Sequence, residues 1–130
     1  LHTGRVENYN EGQVPLIYAV STVEEIIRAG LDFVFSDGHG IAAYTQWFQD
    51  VDDLDKVDWD MAYADYWADT VEDMDRQRRK QSEFLVHRFC PWQVIGRIGV
   101  INNVVKQSVE QILARHNLSV PVEIRRQWYY

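Results

Sequence analysis

Residues 14–20 (VPLIYAV) form a short apolar run rich in β-formers and predict a buried strand. Ser21-Thr22-Val23-Glu24 follows at once and predicts a capping box, with the Ser21 hydroxyl reaching an N–H three residues on and Glu24 reaching back. Val23, Ile26 and Ile27 give that helix an apolar face, and Gly30 ends it. Residues 31–35 predict a second strand, and Ser36-Asp37-Gly38-His39-Gly40 a loop whose glycines permit unusual backbone angles. Ile41, Tyr44, Trp47 and Phe48 recur at helical spacing and predict a helix over 41–49. Asp58-Trp59 reads as the cap and start of another helix, carrying Met61, Ala62 and Tyr66 or Trp67. The polar stretch 68–80 reads as a loop or frayed helix. Residues 83–87 read as a strand, although their period also fits a short helix, and Cys90-Pro91-Trp92 breaks the element. Residues 97–101 (RIGVI) predict a strand. Asn103 is placed to cap a helix with Val105, Val109, Ile112 and Leu113 on one face. Residues 120–124 predict a last strand before Trp128-Tyr129-Tyr130. Short strands mixed with helices, without repeats or linkers, make an α+β domain.

Composition adds limits. The 130 residues suit one domain able to bury a core, and 46% apolar with 13% aromatic residues is a globular balance. No apolar run approaches the ~20 residues that span a bilayer, and the polar opening LHTGRVENYNEG has no signal-peptide pattern. One cysteine, Cys90, allows neither an internal disulfide nor a cysteine metal cluster and fits a reducing cytoplasmic setting. His2, His39, His87 and His116 lack ligand spacing, so no metal is expected. The chain opens on Leu1 instead of Met, which leads us to expect a fragment or a trimmed chain. A net charge of −7 looks adverse to nucleic acid, but it is concentrated: residues 50–75 hold eleven acids and one base, Lys56, while the rest holds nine acids and twelve bases. The acidic segment lacks the glycine and ligand spacing of a calcium loop and reads as a solvated face.

No Gly-rich phosphate loop follows a strand, and no nucleophile elbow is present. In RRKQSEFLVHRF (78–89), Glu83 stands alone between a basic run and an apolar one. A carboxylate at the mouth of a buried strand is partly desolvated and held by rigid backbone, as catalytic acids are. Spacing alone favours an ordinary salt bridge to Arg78, Arg79 or Lys80. His39 on its glycine loop is a candidate for binding or proton transfer, or a helix-entry residue with a hydrogen-bonded ring. Tyr44 and Trp47 are candidates to stack on bases, with core packing as the alternative for at least one of them. Arg76, Arg78, Arg79 and Lys80 are candidates to guide a phosphate backbone, or form a solvated basic loop.

Several stretches carry a resemblance together: LHTGRVENY; FVFSDGHGIAAYTQWFQDVDDLDKVDWDMA, with its F-S-D-G-H loop, aromatic helix and Leu-Asp-x-x-Asp-Trp stretch; RRKQSEFLVHRFCPWQVIGRIGV, similar to an R-x-x-Q-A-E-x-L-V segment; and the terminal WYY. In this order they resemble the DarT family, bacterial toxins that ADP-ribosylate thymidine in single-stranded DNA. The resemblance implies an ADP-ribosyltransferase fold, with two small sheets flanking an NAD cleft. It makes residues 1–130 the C-terminal portion of one such domain, with NAD as substrate and no metal. It implies that Glu83 is the catalytic glutamate. His39, Arg79, Arg78 and Tyr44 then fall on the DNA side, and Ser82 replaces the usual Ala. It also implies a macrodomain antitoxin as partner. The family's NAD-gripping His and Arg precede the matched part, so the resemblance assigns no cofactor-binding residue here. Two other readings stay open: an inactive module that binds DNA or an antitoxin, and an ADP-ribosyltransferase with a protein or RNA target.

Overall fold

The computed structural model describes residues 12–129. His2, the LHTGRVENY stretch and the terminal Tyr130 fall outside them. The chain divides into two compact units, Leu1–Glu25 with Pro91–Tyr130, and Ile26–Cys90. Each is built around one three-stranded sheet, so the α+β expectation holds.

In the first unit the strands β1 (Tyr18–Val20), β5 (Arg97–Val100) and β6 (Val122–Ile124) lie in the order β1-β5-β6. β1 runs antiparallel to β5, and β6 parallel to it. A parallel neighbour needs a crossover, which the helix α4 (Asn103–Arg115) supplies. Ile98, Val100, Leu113 and Val122 are buried between helix and sheet, with Val105 and Val109 packed against them. Ile112, expected on that face, is exposed. The cap is Asn102, one residue before the expected Asn103: its side chain accepts the Val105 N–H at 3.0 Å. At the other end Asn117 takes φ +54°, and the Leu118 N–H closes onto the Leu113 carbonyl, so an Asn fills the place a glycine often takes. Gly99 makes room for the Trp128 ring, whose Cε3 would stand 2.6 Å from a Cβ there.

The helix α1 (Val23–Arg28) follows β1. Its cap is also shifted: the Glu25 N–H bonds the Thr22 hydroxyl at 3.2 Å, so Thr22 takes the role expected of Ser21.

The second unit holds β2 (Phe33–Ser36) between β3 (Trp47–Phe48) and β4 (Phe84–Val86), all antiparallel. Residues 41–49 are therefore not the expected helix. The chain passes through turns after Gly40, and Trp47 and Phe48 pair with Ser36 and Phe35. The helical spacing of the aromatics was real, but burial of Phe48 against Phe35, ring centroids 5.5 Å apart, is won in the sheet. Phe84 stacks on Phe33 at 4.9 Å across the β2–β4 pair. The unit also holds a 3-10 helix (Val51–Lys56) and two short α-helices, α2 (Trp59–Tyr63) and α3 (Arg76–Lys80). Asp58 caps α2 as expected, accepting the Met61 N–H at 2.9 Å, and Met61 is buried.

Candidate functional site

The site starts where β2 ends. Ser36 is fully buried, and its hydroxyl has two jobs. It donates to the Gly38 carbonyl at 2.6 Å and accepts the Glu83 N–H at 3.1 Å. The Ser36 N–H in turn donates to the Glu83 carbonyl at 2.9 Å. One serine thus binds the turn of the glycine loop to the backbone of Glu83 immediately before β4. Ser36→Ala is expected to strand the Glu83 N–H and the Gly38 carbonyl, costing about 1–3 kcal/mol in a urea titration. An unchanged midpoint would mean that neither bond matters to the fold.

The loop beyond Ser36 is tied down along its length. The Asp37 carboxylate accepts the Gln46 N–H at 2.9 Å, and the Thr45 hydroxyl donates to the His39 carbonyl at 2.7 Å. The His39 N–H donates to the Arg78 carbonyl at 2.8 Å, which fastens the loop to α3. The His39 Nδ1 is buried with no hydrogen-bond partner among the described residues. Gly40 is a close approach: a Cβ on it would stand 2.8 Å from the Glu83 Oε2 and 2.9 Å from the Trp47 Cζ2. Only a glycine leaves both groups where they are.

The basic run has partners other than Glu83. Arg78 donates to Asp37 at 2.8 Å and grips both Asp75 oxygens, each at 2.8 Å, with its guanidinium 5.0 Å from the centre of the Tyr44 ring. The Tyr44 hydroxyl donates to the same Asp75 at 3.1 Å. Arg79 pairs with Asp58 and Asp73. Lys80 donates to the Ala62 and Ala64 carbonyls at 2.9 and 2.8 Å, at the end of α2. The Arg76 guanidinium bonds the Tyr66 and Ala68 carbonyls. Hydrogen bonding to Arg78 holds the Asp75 carboxyl below the usual carboxylate range, and the bond to Asp75 raises Arg78 and Tyr44. Glu83 forms no ion pair among the described residues, so the salt bridge that spacing favoured is not made.

These partners give the acidic stretch 50–75 a use that composition does not reveal. Asp58, Asp73 and Asp75 neutralise the arginines just ahead of Glu83, so the segment is only partly a solvated face. Of the residues singled out from sequence, Glu83, His39, Tyr44, Arg78 and Arg79 all lie in the second unit, joined by the bonds above. Sequence reasoning passed over Ser36, Asp37 and Asp75. The first two stand directly before a Gly-x-Gly loop, where short polar side chains commonly bond the turn backbone. Asp75 carries no local signal.

Among the described residues no group of three or more His, Cys, Asp or Glu side chains is placed to hold a metal ion. No described helix is long and apolar enough to cross a membrane.

The family described as "ssDNA thymidine ADP-ribosyltransferase, DarT" matches residues 1–130. A DNA ADP-ribosyl transferase of Thermus aquaticus is 37% identical over 134 residues, which cover 100% of this chain and 56% of that protein. The structure of Thermus sp. 2.9 DarT in complex with NAD+ superposes with a TM-score of 0.92 at 36% identity, over 99% of this chain and 64% of that one. The same protein in complex with ADP-ribosylated ssDNA gives 0.90 at 37% identity, over 99% and 61%. The chain thus spans less than two thirds of the length of each of these relatives.

Proposed function

The chain belongs to the DarT family and shares the α+β ADP-ribosyltransferase fold of its solved members; from that premise we propose that the protein transfers ADP-ribose from NAD to thymidine bases of single-stranded DNA, with Glu83 as the catalytic acid. The observation that carries this reading is the state of Glu83. Its backbone is bound to Ser36 on both sides, its carboxylate reaches the Gly40 turn, and every base in the run before it is engaged elsewhere. A carboxylate carried on a fixed backbone, without an ion-pair partner among the described residues, is what the reaction needs.

NAD supplies the ADP-ribosyl group. As its nicotinamide leaves, positive charge builds on the ribose, as it does in glycoside cleavage. A fixed carboxylate stabilises that charge, accepts a hydrogen bond from a ribose hydroxyl, and stands ready to take the proton from the attacking thymine nitrogen. His39 and Tyr44 lie on the adjoining loop, on the DNA side. Arg78 and Arg79 belong to the same side, where a phosphate shares each guanidinium with the carboxylates that hold it. Relatives solved with NAD+ and with ADP-ribosylated ssDNA support the choice of the two substrates. The protein then acts in the cytoplasm as the toxin of a toxin–antitoxin pair, opposed by a macrodomain partner that removes the modification.

The test is the intact mass of a thymidine-containing single-stranded oligonucleotide after incubation with NAD and the full gene product. A gain of one ADP-ribose, absent from an oligonucleotide without thymidine, is expected. Label on RNA or protein in place of DNA would overturn the assigned target. NAD left unconsumed with every acceptor would overturn the enzyme reading in favour of a binding module.

A further inference from the structure

Trp47 stands out among the aromatic residues of the second unit. Its neighbour Phe48 packs on Phe35, and strand alternation sends Trp47 to the opposite face of the sheet. There the residue is 44% exposed and, among the described residues, makes no ring–ring contact and leaves its indole N–H without a hydrogen-bond partner. Yet it is not on a remote surface. The edge of its six-membered ring and the Glu83 carboxylate converge on Gly40, at 2.9 and 2.8 Å from the place a Cβ would take. A half-exposed indole beside a carboxylate without an ion-pair partner among the described residues is a surface on which a flat heterocycle can stack and present its edge to the acid.

We propose that Trp47 is the stacking platform that positions the target thymine against Glu83. This rests on the transferase reading and deepens it by naming the residue that orients the acceptor. Three arguments favour a nucleobase as the occupant. Stacking on an aromatic side chain works for any base and contributes about 1–3 kcal/mol per base. Trp47 ends the loop that begins at Ser36 and carries His39 and Tyr44, so the indole belongs to the segment assigned to DNA. Its pairing with Ser36, the residue that also holds the Glu83 backbone, fixes ring and acid to one strand end, and a platform that moved independently of Glu83 would not orient a nitrogen for attack.

The experiment compares the full gene product with its Trp47→Ala and Trp47→Phe variants. It measures affinity for a thymidine-containing single-stranded oligonucleotide by anisotropy, KM for NAD, melting temperature, and quenching of tryptophan emission by the oligonucleotide. Trp47→Ala is expected to weaken oligonucleotide binding about tenfold, Trp47→Phe to weaken it by a smaller factor, and neither to change KM for NAD. The wild type is expected to lose, on binding, an emission component that Trp47→Phe lacks. Should Trp47→Ala fail to fold, that difference in quenching decides the matter alone. Unchanged affinity and quenching, or an effect confined to KM for NAD, would overturn the proposal. Wild-type protein that quenches through Trp47 but labels no thymidine would instead sink the transferase reading and leave the stacking site standing.

Discussion

Glu83→Gln is expected to lower ADP-ribosyl transfer by about a thousandfold or more while leaving the melting temperature unchanged. The two halves of this expectation come from different parts of the residue. The bonds that hold Glu83 in the fold, to the Ser36 N–H and hydroxyl, are made by its backbone, and the amide side chain does not touch them. Among the described residues the carboxylate has no ion pair to lose, because Arg78, Arg79 and Lys80 are bound to Asp37, Asp75, Asp58, Asp73 and the end of α2. Glutamine has nearly the same shape and clears Gly40 as glutamate does. On the proposed mechanism, what disappears is the charge that stabilises the ribose, typically about a hundred- to a thousandfold in rate, and the acceptor for the thymine proton, a further factor of about a hundred or more where proton transfer limits. KM for NAD is expected to move much less than kcat, since the charge matters most when the ribose itself becomes positive. A variant that melted several degrees lower would mark Glu83 as a structural acid, and one that kept full activity would transfer the catalytic role to another group.

Which parts of this picture can be seen in the residues alone follows from the range of the forces. The helix α4 is legible because its determinants are local: a 3.6-residue apolar period, an asparagine cap and a polar exit. Even there the choice between Asn102 and Asn103 is beyond pattern reasoning, as is that between Ser21 and Thr22 at α1, because neighbouring residues offer the same chemistry. Residues 41–49 mislead for the opposite reason. Ile41, Tyr44, Trp47 and Phe48 have helical spacing, but the pull on Phe48 comes from Phe35, and Ile41 and Tyr44 end up exposed on turns. The site divides the same way. Glu83 is conspicuous as an acid between a basic and an apolar run, and the catalytic role proposed for it is one the resemblance implies. Its freedom from ion pairing depends on carboxylates at 37, 58, 73 and 75, which no spacing rule connects with the arginines at 78 and 79.

Arg78→Met is expected to destabilise the protein by about 2–4 kcal/mol at neutral pH, toward the lower end because Asp75 and Asp37 keep some access to water. The guanidinium is the hub of the second unit. It spans Asp37 and Asp75 with its side chain only 12% exposed, lies against the Tyr44 ring, and packs over Gly38. Methionine keeps much of the stem but leaves two half-buried carboxylates close together without their counter-charge. Lysine is expected to rescue little, since one ammonium cannot reproduce a fork that grips both oxygens of Asp75 while a third bond goes to Asp37. Acid separates this account from a role in DNA contact alone. The Asp75 carboxyl is held below its ordinary value by Arg78, so its folded-state pKa lies under its unfolded one. The stability it contributes is full above about pH 4 and drains away as the pH falls through the lower folded value. Wild-type protein should therefore weaken more steeply than Arg78→Met on going below pH 4, and the gap between their unfolding free energies in urea should narrow. If Arg78 served the DNA backbone and nothing else, the variant would unfold like wild type at every pH, and the loss would appear only as weaker oligonucleotide binding with a salt dependence reduced by about one unit. The hub reading predicts both losses in sequence, because a loop released from Asp37 also releases His39 from the Arg78 carbonyl and, with it, the face on which the DNA is expected to lie.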